Sequence, residues 1–182
     1  MDLLFMRHGQ TLWNQQRRLQ GHQDIPLTPA GLQDGESLSE YLKDYPIQLL
    51  FSSPLSRAYQ SAELINRHHR LDIQVDSDLI ERDYKACSGL LYDEYRNLPI
   101  GERSAIESDE AVYQRALNFL SRMSDSGMAA IVTHGGFLSN LLYRSEASPD
   151  KLKIEHRCIY WCTWAEHELE LKAVIDLNEV SL

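Results

Sequence analysis

The chain has 182 residues, of which 43% are hydrophobic and 25% are charged, and its formal net charge at pH 7 is −9. This length and composition predict one domain over residues 1–182, and the negative charge argues against nucleic acid and membrane surfaces as partners. Because the N-terminal apolar run is only about one strand long, we expect no signal peptide, no membrane span and a cytoplasmic location.

The first elements are a strand, a loop and a helix. The apolar run Leu3–Met6 predicts a short buried strand, and the polar and aromatic stretch Gln10–Gln23 predicts a loop. Thr28 is placed to cap a helix that has Pro29 at its first position and runs to about Lys43. The side chains of this helix that we expect to face the core are Leu32, Leu38, Tyr41 and Leu42.

The middle of the chain begins with regular elements and then loses its pattern. Ile47–Phe51 predicts a second buried strand, followed by a helix from Leu55 to about His69 and a third strand at Asp72–Val75. The segment Asp78–Asp109 is charged and contains proline and glycine, so we expect a loop over the sheet with a short helix around Asp93–Leu98.

The last third of the chain returns to strong patterns. Glu110–Ser124 has apolar residues at helical spacing, and Ala129–Thr133 predicts a fully buried strand that leads into a helix at Phe137–Tyr143. Arg157–Trp164 and Glu168–Asp176 alternate as two strands joined by a turn. The order of elements predicts an α/β three-layer sandwich with a mostly parallel central sheet, helices on both faces and a short cap insertion at about residues 82–108.

The cysteines give no sign of disulfides or of cysteine-based phosphate chemistry. Cys87, Cys158 and Cys162 form no CxxC pair, which favours reduced thiols, and the last two are expected to fill the core from one face of a strand. A C-x5-R nucleophile needs an arginine six residues after the cysteine. The residues at those positions are Asp93, Trp164 and Glu168.

Two predicted strands end in a histidine followed by a glycine, at Arg7-His8-Gly9 and at Thr133-His134-Gly135. The carboxyl ends of parallel strands lie at one edge of a sheet, so the two imidazoles can meet there. Arg57 follows the second strand at the start of a helix, which is a natural anion site. Two histidines and two arginines predict a site for a tetrahedral dianion, whereas the alternative is two unrelated histidines in strand-to-loop turns.

These residues belong to an ordered series of motifs. The series consists of Arg7–Thr11 with Asn14, Gln20–Thr28, Ser52–Ala58 with Gln60, Leu79–Glu81 with Gly89 and Leu90, Glu107-Ser108 with Val112 and Arg115, and Thr133–Gly136. On these motifs nearly the whole chain resembles the phosphatase branch of the histidine phosphatase superfamily, which has the phosphoglycerate-mutase-like fold. The resemblance implies a phosphomonoesterase that acts on a small phosphorylated metabolite through a phosphohistidine, with no metal or other cofactor.

The resemblance also implies a role for each catalytic residue. His8 would be the nucleophile, which requires a neutral ring, and a hydrogen bond from its other nitrogen to a backbone carbonyl would fix the tautomer. Arg7, Arg57 and His134 would hold the phosphoryl oxygens and offset the charge of the transition state. Glu81 would protonate the leaving alkoxide and then activate water. The implied substrate-binding residues are Asn14, Gln20, Gly21, Arg82, Tyr84 and Gly135.

Three alternatives stay open from the sequence. The stretch Glu81–Tyr84 is similar to the mutase version of the acid loop, so a phosphoglycerate-type mutase is one alternative, although the short cap favours a phosphatase. A catalytically silent member that binds a phosphorylated ligand is another. Asp76 and Asp78 imitate the motif of magnesium-dependent aspartyl phosphatases, but that chemistry leaves His8 and His134 unexplained, so we predict a turn there.

The cap is where we expect substrate specificity to be determined, and the sequence allows a monomer or a homodimer. The candidate specificity contacts in the cap are Tyr84, Tyr92, Tyr95, Arg96 and Arg103.

Overall fold

A mixed sheet of six strands forms the centre of the protein. The structure, a computed structural model, describes residues 1–103, 105–124, 126–144 and 152–179. The strands are β1 (Asp2–Arg7), β2 (Leu49–Ser52), β3 (Ile73–Val75), β4 (Met128–Thr133), β5 (Cys158–Ala165) and β6 (Glu168–Asp176). Their order across the sheet is β3-β2-β4-β1-β5-β6. The first four strands pair with one another in parallel, which confirms a mostly parallel sheet. β5 pairs antiparallel with β1, and β6 pairs antiparallel with β5.

Helices cover both faces of this sheet. The helices are α1 (Leu12–Gln15), α2 (Pro29–Leu42), α3 (Ser56–Ile65), α4 (Tyr92–Asn97), α5 (Ile100–Arg103), α6 (Asp109–Leu120) and α7 (Gly135–Arg144). Side chains alternate between the two faces of a strand. In β1, Leu4 and Met6 therefore join the core formed with α2 and α3, while Leu3 and Phe5 join the core formed with α6 and α7. The predicted three-layer α/β architecture is confirmed. No helix within the described ranges is both long and apolar enough to span a bilayer.

The helix α2 turns Leu38, Tyr41 and Leu42 towards the core, as predicted from hydrophobicity, but not Leu32. Its buried residues are Gly31, Gly35, Leu38, Ser39 and Leu42. Leu32 is 43% exposed, so its predicted inward orientation is wrong. The reason is close packing against α3, since a Cβ atom on Gly35 would lie 2.5 Å from Leu64 Cδ1. Small residues thus form the contact face and leave Leu32 outside.

Several predicted boundaries are also wrong. A short helix, α1, lies inside the predicted loop because Thr11 and Asn14 cap each other's backbone groups. The helix α3 ends at Ile65 rather than about His69, and α6 ends at Leu120 rather than at Ser124.

The two tail strands form the predicted hairpin. Its turn residues Glu166 and His167 have φ angles of 53° and 65°, as a two-residue hairpin turn requires. Cys158 and Cys162 are buried on β5 among core residues, as predicted, and they are free thiols. Burial raises the pKa of Cys158 to about 11 and that of Cys162 to about 12.

The segment between β3 and α6 is irregular, as predicted, and the part of it that the structure describes contains only short helices and helical turns. The pair Asp76 and Asp78 forms the expected turn, in which the Asp76 carboxylate accepts a hydrogen bond from the Asp78 N–H. Arg122 forms ion pairs with both carboxylates. The two aspartates are therefore engaged in holding this turn.

Candidate active site

The carboxyl ends of β1 and β4 bring the two predicted histidines together. The strands are in parallel register, with Arg7 opposite Thr133, and the His8 N–H donates to the Thr133 carbonyl at 3.0 Å. His8 and His134 are the residues that directly follow this pair in the chain, and their ring centroids are 5.1 Å apart. Both side chains are almost completely buried.

Hydrogen bonds define the tautomer of His8. Its Nδ1 lies 2.7 Å from the Gly9 carbonyl oxygen, which can only accept, so Nδ1 carries the proton. The lone pair is then on Nε2, which accepts from Arg57 Nε at 3.2 Å. Burial, followed by the charges of His134, Arg57 and Arg7, holds the pKa of His8 well below its usual 6.5. The ring is therefore neutral near pH 7 and carries its lone pair on Nε2, which is the state that the predicted role of His8 requires.

Arg57 lies in the first turn of α3 and is fully buried. Its two terminal nitrogens donate to the Gln23 carbonyl at 2.7 Å and to the Gly21 carbonyl at 2.8 Å. Gly21 has a φ of 53°, which lets the backbone turn this carbonyl towards the arginine. Burial lowers the pKa of Arg57 to about 10, so the guanidinium stays charged at neutral pH.

Arg7 and His134 each leave one polar atom without a protein partner. One terminal nitrogen of Arg7 donates to the Ile154 carbonyl at 2.9 Å, and His134 Nε2 lies 2.7 Å from Ser53 Oγ. Within the described residues, Arg7 Nε and His134 Nδ1 are buried and have no hydrogen-bond partner. Buried polar atoms are normally satisfied, so these two atoms beside His8 are candidates to hydrogen-bond a polar ligand.

Glu81 is fixed by the start of the last helix. Its carboxylate accepts from the N–H groups of Gly136 at 3.2 Å, Phe137 at 3.0 Å and Arg82 at 2.8 Å. A Cβ atom on Gly136 would lie 2.6 Å from Glu81 Oε1, so only glycine lets the carboxylate approach this closely.

A cavity of about 900 Å³ opens over His8 and is lined by most of the predicted site residues. Those lining residues are Arg7, His8, Asn14, Gln20, Glu81, Arg82, Tyr84 and Gly135. Arg57, His134 and Gly21 are outside the lining, and the fully buried Arg57 contacts His8 directly. Within the described ranges, no group of three or more His, Cys, Asp or Glu side chains is arranged to hold a metal ion.

The predicted substrate-binding side chains are partly occupied by protein contacts. Asn14 Oδ1 accepts from the Thr11 N–H at 3.0 Å, and Gln20 Oε1 lies 2.9 Å from the Thr11 hydroxyl. Arg82 donates to the Glu107 carbonyl at 2.8 Å and pairs with Asp109 at 2.7 Å. The Arg82 side chain is therefore held on the wall of the cavity by the residues that begin α6.

A third imidazole, His156, also lines the cavity, and the sequence analysis did not identify it. Its Nδ1 donates to the His8 carbonyl at 2.7 Å, and its ring centroid is 5.8 Å from that of His8. Burial and the charge of Arg7 lower the pKa of His156 to about 3. No local pattern marks this residue: it lies beside the end of β1 because it comes just before β5, which is the antiparallel neighbour of β1.

Comparisons with known proteins show the family of the chain. Residues 3–177 match the family model of the histidine phosphatase superfamily (branch 1), and the chain belongs to this superfamily. Phosphoglycerate mutase-like protein 4 of Arabidopsis thaliana is 31% identical over 170 residues, which cover 84% of this chain and 74% of that protein. An uncharacterized phosphatase of Bacillus subtilis, PhoE, is 30% identical over 174 residues, which cover 92% of this chain and 90% of that protein.

A solved structure shares the fold along nearly the full length. Bacillus stearothermophilus YhfR matches with a TM-score of 0.84 and 27% identity, covering 99% of this chain and 98% of that one.

Proposed function

We propose that the protein is a phosphomonoesterase that cleaves a small phosphorylated metabolite through a phosphohistidine at His8, without a metal ion. The observation that carries the proposal is the state of His8: a neutral ring with one tautomer, whose Nε2 lone pair points at a buried guanidinium and accepts a hydrogen bond from it. Only such a ring can act as a nucleophile, and the adjacent cations compensate the charge of the phosphate.

The proposed reaction has two steps. In the first, His8 Nε2 forms a bond to phosphorus, the bond from phosphorus to the ester oxygen breaks, and Glu81, which enters this step with a proton taken from solvent, gives that proton to the leaving alkoxide. In the second, Glu81 takes a proton from a water molecule that attacks phosphorus, and the bond from Nε2 to phosphorus breaks. Inorganic phosphate is released, and His8 and Glu81 return to their starting states.

The hydrogen-bonding pattern of the site supports this sequence. Arg57 Nε donates to the lone pair of His8 Nε2, and an incoming phosphoryl oxygen would take over that donor and free the nitrogen. The unpartnered Arg7 Nε and His134 Nδ1 would gain the same ligand. Hydrogen bonds from a guanidinium to a phosphate oxygen are charge-assisted and strong, so a phosphoryl group suits this part of the site.

The test is phosphate release combined with trapping of the intermediate. Wild-type protein should hydrolyse p-nitrophenyl phosphate in the presence of a chelator, and rapid quenching should recover a protein-bound phosphoryl group that is labile in acid. The His8→Ala variant should lose both signals, whereas His68→Ala, which changes a half-exposed histidine outside the cavity, should keep them.

An acid-stable linkage, or loss of activity with the chelator, would overturn the proposal. Absence of turnover over a broad panel of phosphomonoesters would instead favour a phospho-ligand-binding protein.

A phosphoglycerate-type mutase is the second candidate. Arg82 and Tyr84 line the cavity next to Glu81, and one relative is named a phosphoglycerate mutase-like protein. A mutase must protect its phosphoenzyme from water while the intermediate turns over. Isomerisation of a phosphoglycerate without net release of phosphate would establish this alternative.

A further inference from the structure

The backbone around Glu81 is held by a side chain from another element, Arg115 of α6. One terminal nitrogen of Arg115 donates to the Asp78 carbonyl at 2.7 Å and to the Ile80 carbonyl at 2.6 Å. The other donates to the Glu81 carbonyl at 3.2 Å, and His22 Nε2 lies 2.8 Å from the same oxygen. Three carbonyl groups of one irregular segment are thus fixed by a single guanidinium.

Glu107 completes this arrangement. Its two carboxylate oxygens accept from Arg115 Nε at 2.8 Å and from a terminal nitrogen at 3.0 Å, a two-point contact that fixes the plane of the guanidinium. The same carboxylate accepts from the Asp83 N–H at 2.9 Å, and the Glu107 N–H donates to the Asp83 carbonyl at 2.8 Å. Burial raises the pKa of Glu107, but the hydrogen bonds from Arg115 and Asp83 outweigh it and hold that pKa below its usual value.

Arg115 also faces the ring of Phe137, the residue whose backbone N–H holds the Glu81 carboxylate. Its guanidinium carbon lies 5.5 Å from the centre of the Phe137 ring, and the Phe137 N–H donates to Glu81 Oε1. The backbone of Glu81 and the anchor of its carboxylate are therefore both in contact with one side chain. The side chains of Arg115 and Glu107 are only 14% and 17% exposed, so water does not readily replace these contacts.

We infer that Arg115 and Glu107 are positioning residues that set the Glu81 carboxyl group for proton transfer, an inference that rests on the proposed function. The segment has no strand or long helix of its own, so its geometry depends on these contacts. A displacement of about 1 Å at a reacting group can cost about 10²-fold in rate. Loss of Arg115 or Glu107 therefore slows proton transfer by Glu81 and leaves the attack of His8 on phosphorus unchanged.

The dependence on the leaving group tests this inference. An unactivated alkyl phosphate needs a proton on its leaving oxygen, whereas p-nitrophenolate leaves without one. In Arg115→Gln, the rate of phosphoenzyme formation should fall about 10²-fold with β-glycerophosphate. The rate of the p-nitrophenol burst should fall less than about threefold, because general acid catalysis adds little for this leaving group. Glu107→Gln keeps one side-chain oxygen that accepts hydrogen bonds. The rate with β-glycerophosphate should therefore fall less than in Arg115→Gln, and the p-nitrophenol burst should again change little.

Two controls separate positioning from a general effect on the fold. Arg122→Gln removes ion pairs to Asp76 and Asp78 in the same segment without touching Glu81, and it should leave both rates within about twofold. In a Glu81→Gln background, Arg115→Gln should cost almost nothing further with β-glycerophosphate, since the two changes remove the same step.

Each outcome decides between the explanations. Equal losses with both substrates in Arg115→Gln and Glu107→Gln, or no loss in either, would overturn the inference while leaving the phosphohistidine proposal standing. Additive losses in the Glu81→Gln background would overturn it as well. If wild-type protein forms no phosphoenzyme with any substrate, the proposed function itself fails.

Discussion

The site floor (Arg7, His8, Arg57 and His134) and the cap (residues 82–108) differ in how their geometry is maintained. His8 is 1% exposed, and Arg57 and His134 are fully buried where strands end against helices. In the cap, the helices α4 and α5 have only half-buried or exposed residues, and Ile100 is 77% exposed. The floor is therefore fixed by the cores on both sides of the sheet, while the cap depends on a few polar contacts.

This difference predicts which of the two regions tolerates substitutions. A buried polar atom that loses its partner costs about 1–3 kcal/mol, so the floor tolerates few substitutions. Exposed positions of the cap cost within about 0.5 kcal/mol when changed. We expect variation of the cap to alter which substrates bind, while the floor keeps the reaction.

The largest expected effect is at Arg57. Arg57→Ala should lower kcat/KM about 10³-fold, because the charge beside His8 Nε2 is lost and the carbonyls of Gly21 and Gln23 lose their donor. Arg57→Lys keeps the charge but cannot make all three contacts, so its loss should be smaller. Steady-state kinetics on p-nitrophenyl phosphate measure both, and a loss below tenfold in Arg57→Ala would contradict the importance given to this residue.

The stability of the two regions should also differ. Leu138→Ala, below the floor, removes a fully buried side chain and should lower the free energy of unfolding by about 2–5 kcal/mol. Ile100→Ala in the cap should change it by less than about 0.5 kcal/mol. Urea denaturation measures both values, and similar losses in the two variants would remove the distinction between floor and cap.

Acid should lower the stability of the protein before any strongly acidic pH is reached. Burial holds the pKa values of His8, His134 and His156 below 6.5, so the folded chain does not take up protons that the unfolded chain binds. The free energy of unfolding should therefore fall as the pH drops below about 6.5. His156→Asn should make this fall shallower in denaturation curves between pH 7 and pH 5, and an unchanged slope would show that His156 is not among the groups responsible.

The smallest effect is expected at the cap residue Tyr92, which lines the cavity and is 45% exposed. Tyr92→Ala should raise KM about threefold for a substrate large enough to reach it, in line with the modest value of an aromatic contact. It should leave kcat for p-nitrophenyl phosphate unchanged. A large fall in kcat would show that the cap contributes to the chemical step.

The sequence predicted the fold and the floor well because both depend on local patterns. Apolar runs that end in Arg-His-Gly and Thr-His-Gly determine where the strands stop, and parallel pairing then places His8 and His134 together. The prediction failed where a tertiary contact decides the outcome. Leu32 faces solvent because Gly35 of α2 packs closely on α3, and no periodicity in the sequence reports how close two helices lie.

Other site features could not be seen from local patterns for the same reason. His156 reaches His8 only through the antiparallel pairing of β5 with β1, across 148 positions in the chain. The engagement of Arg82 by Glu107 and Asp109 depends on how the cap meets α6. The motif that contains Glu107 and Arg115 was recognised, but the three carbonyls that Arg115 binds were not.

The contact between Gly9 and Gly31 connects the surroundings of His8 to α2, a helix that contributes no residue to the lining of the cavity. A Cβ atom on Gly9 would lie 2.1 Å from the Gly31 carbonyl oxygen, and one on Gly31 would lie 2.1 Å from the Gln10 carbonyl oxygen. The Gly9 carbonyl is the group that holds the proton of His8 on Nδ1. A single added carbon at position 31 would push on this backbone, so a methyl group remote from the phosphate could silence the nucleophile by changing which nitrogen it presents.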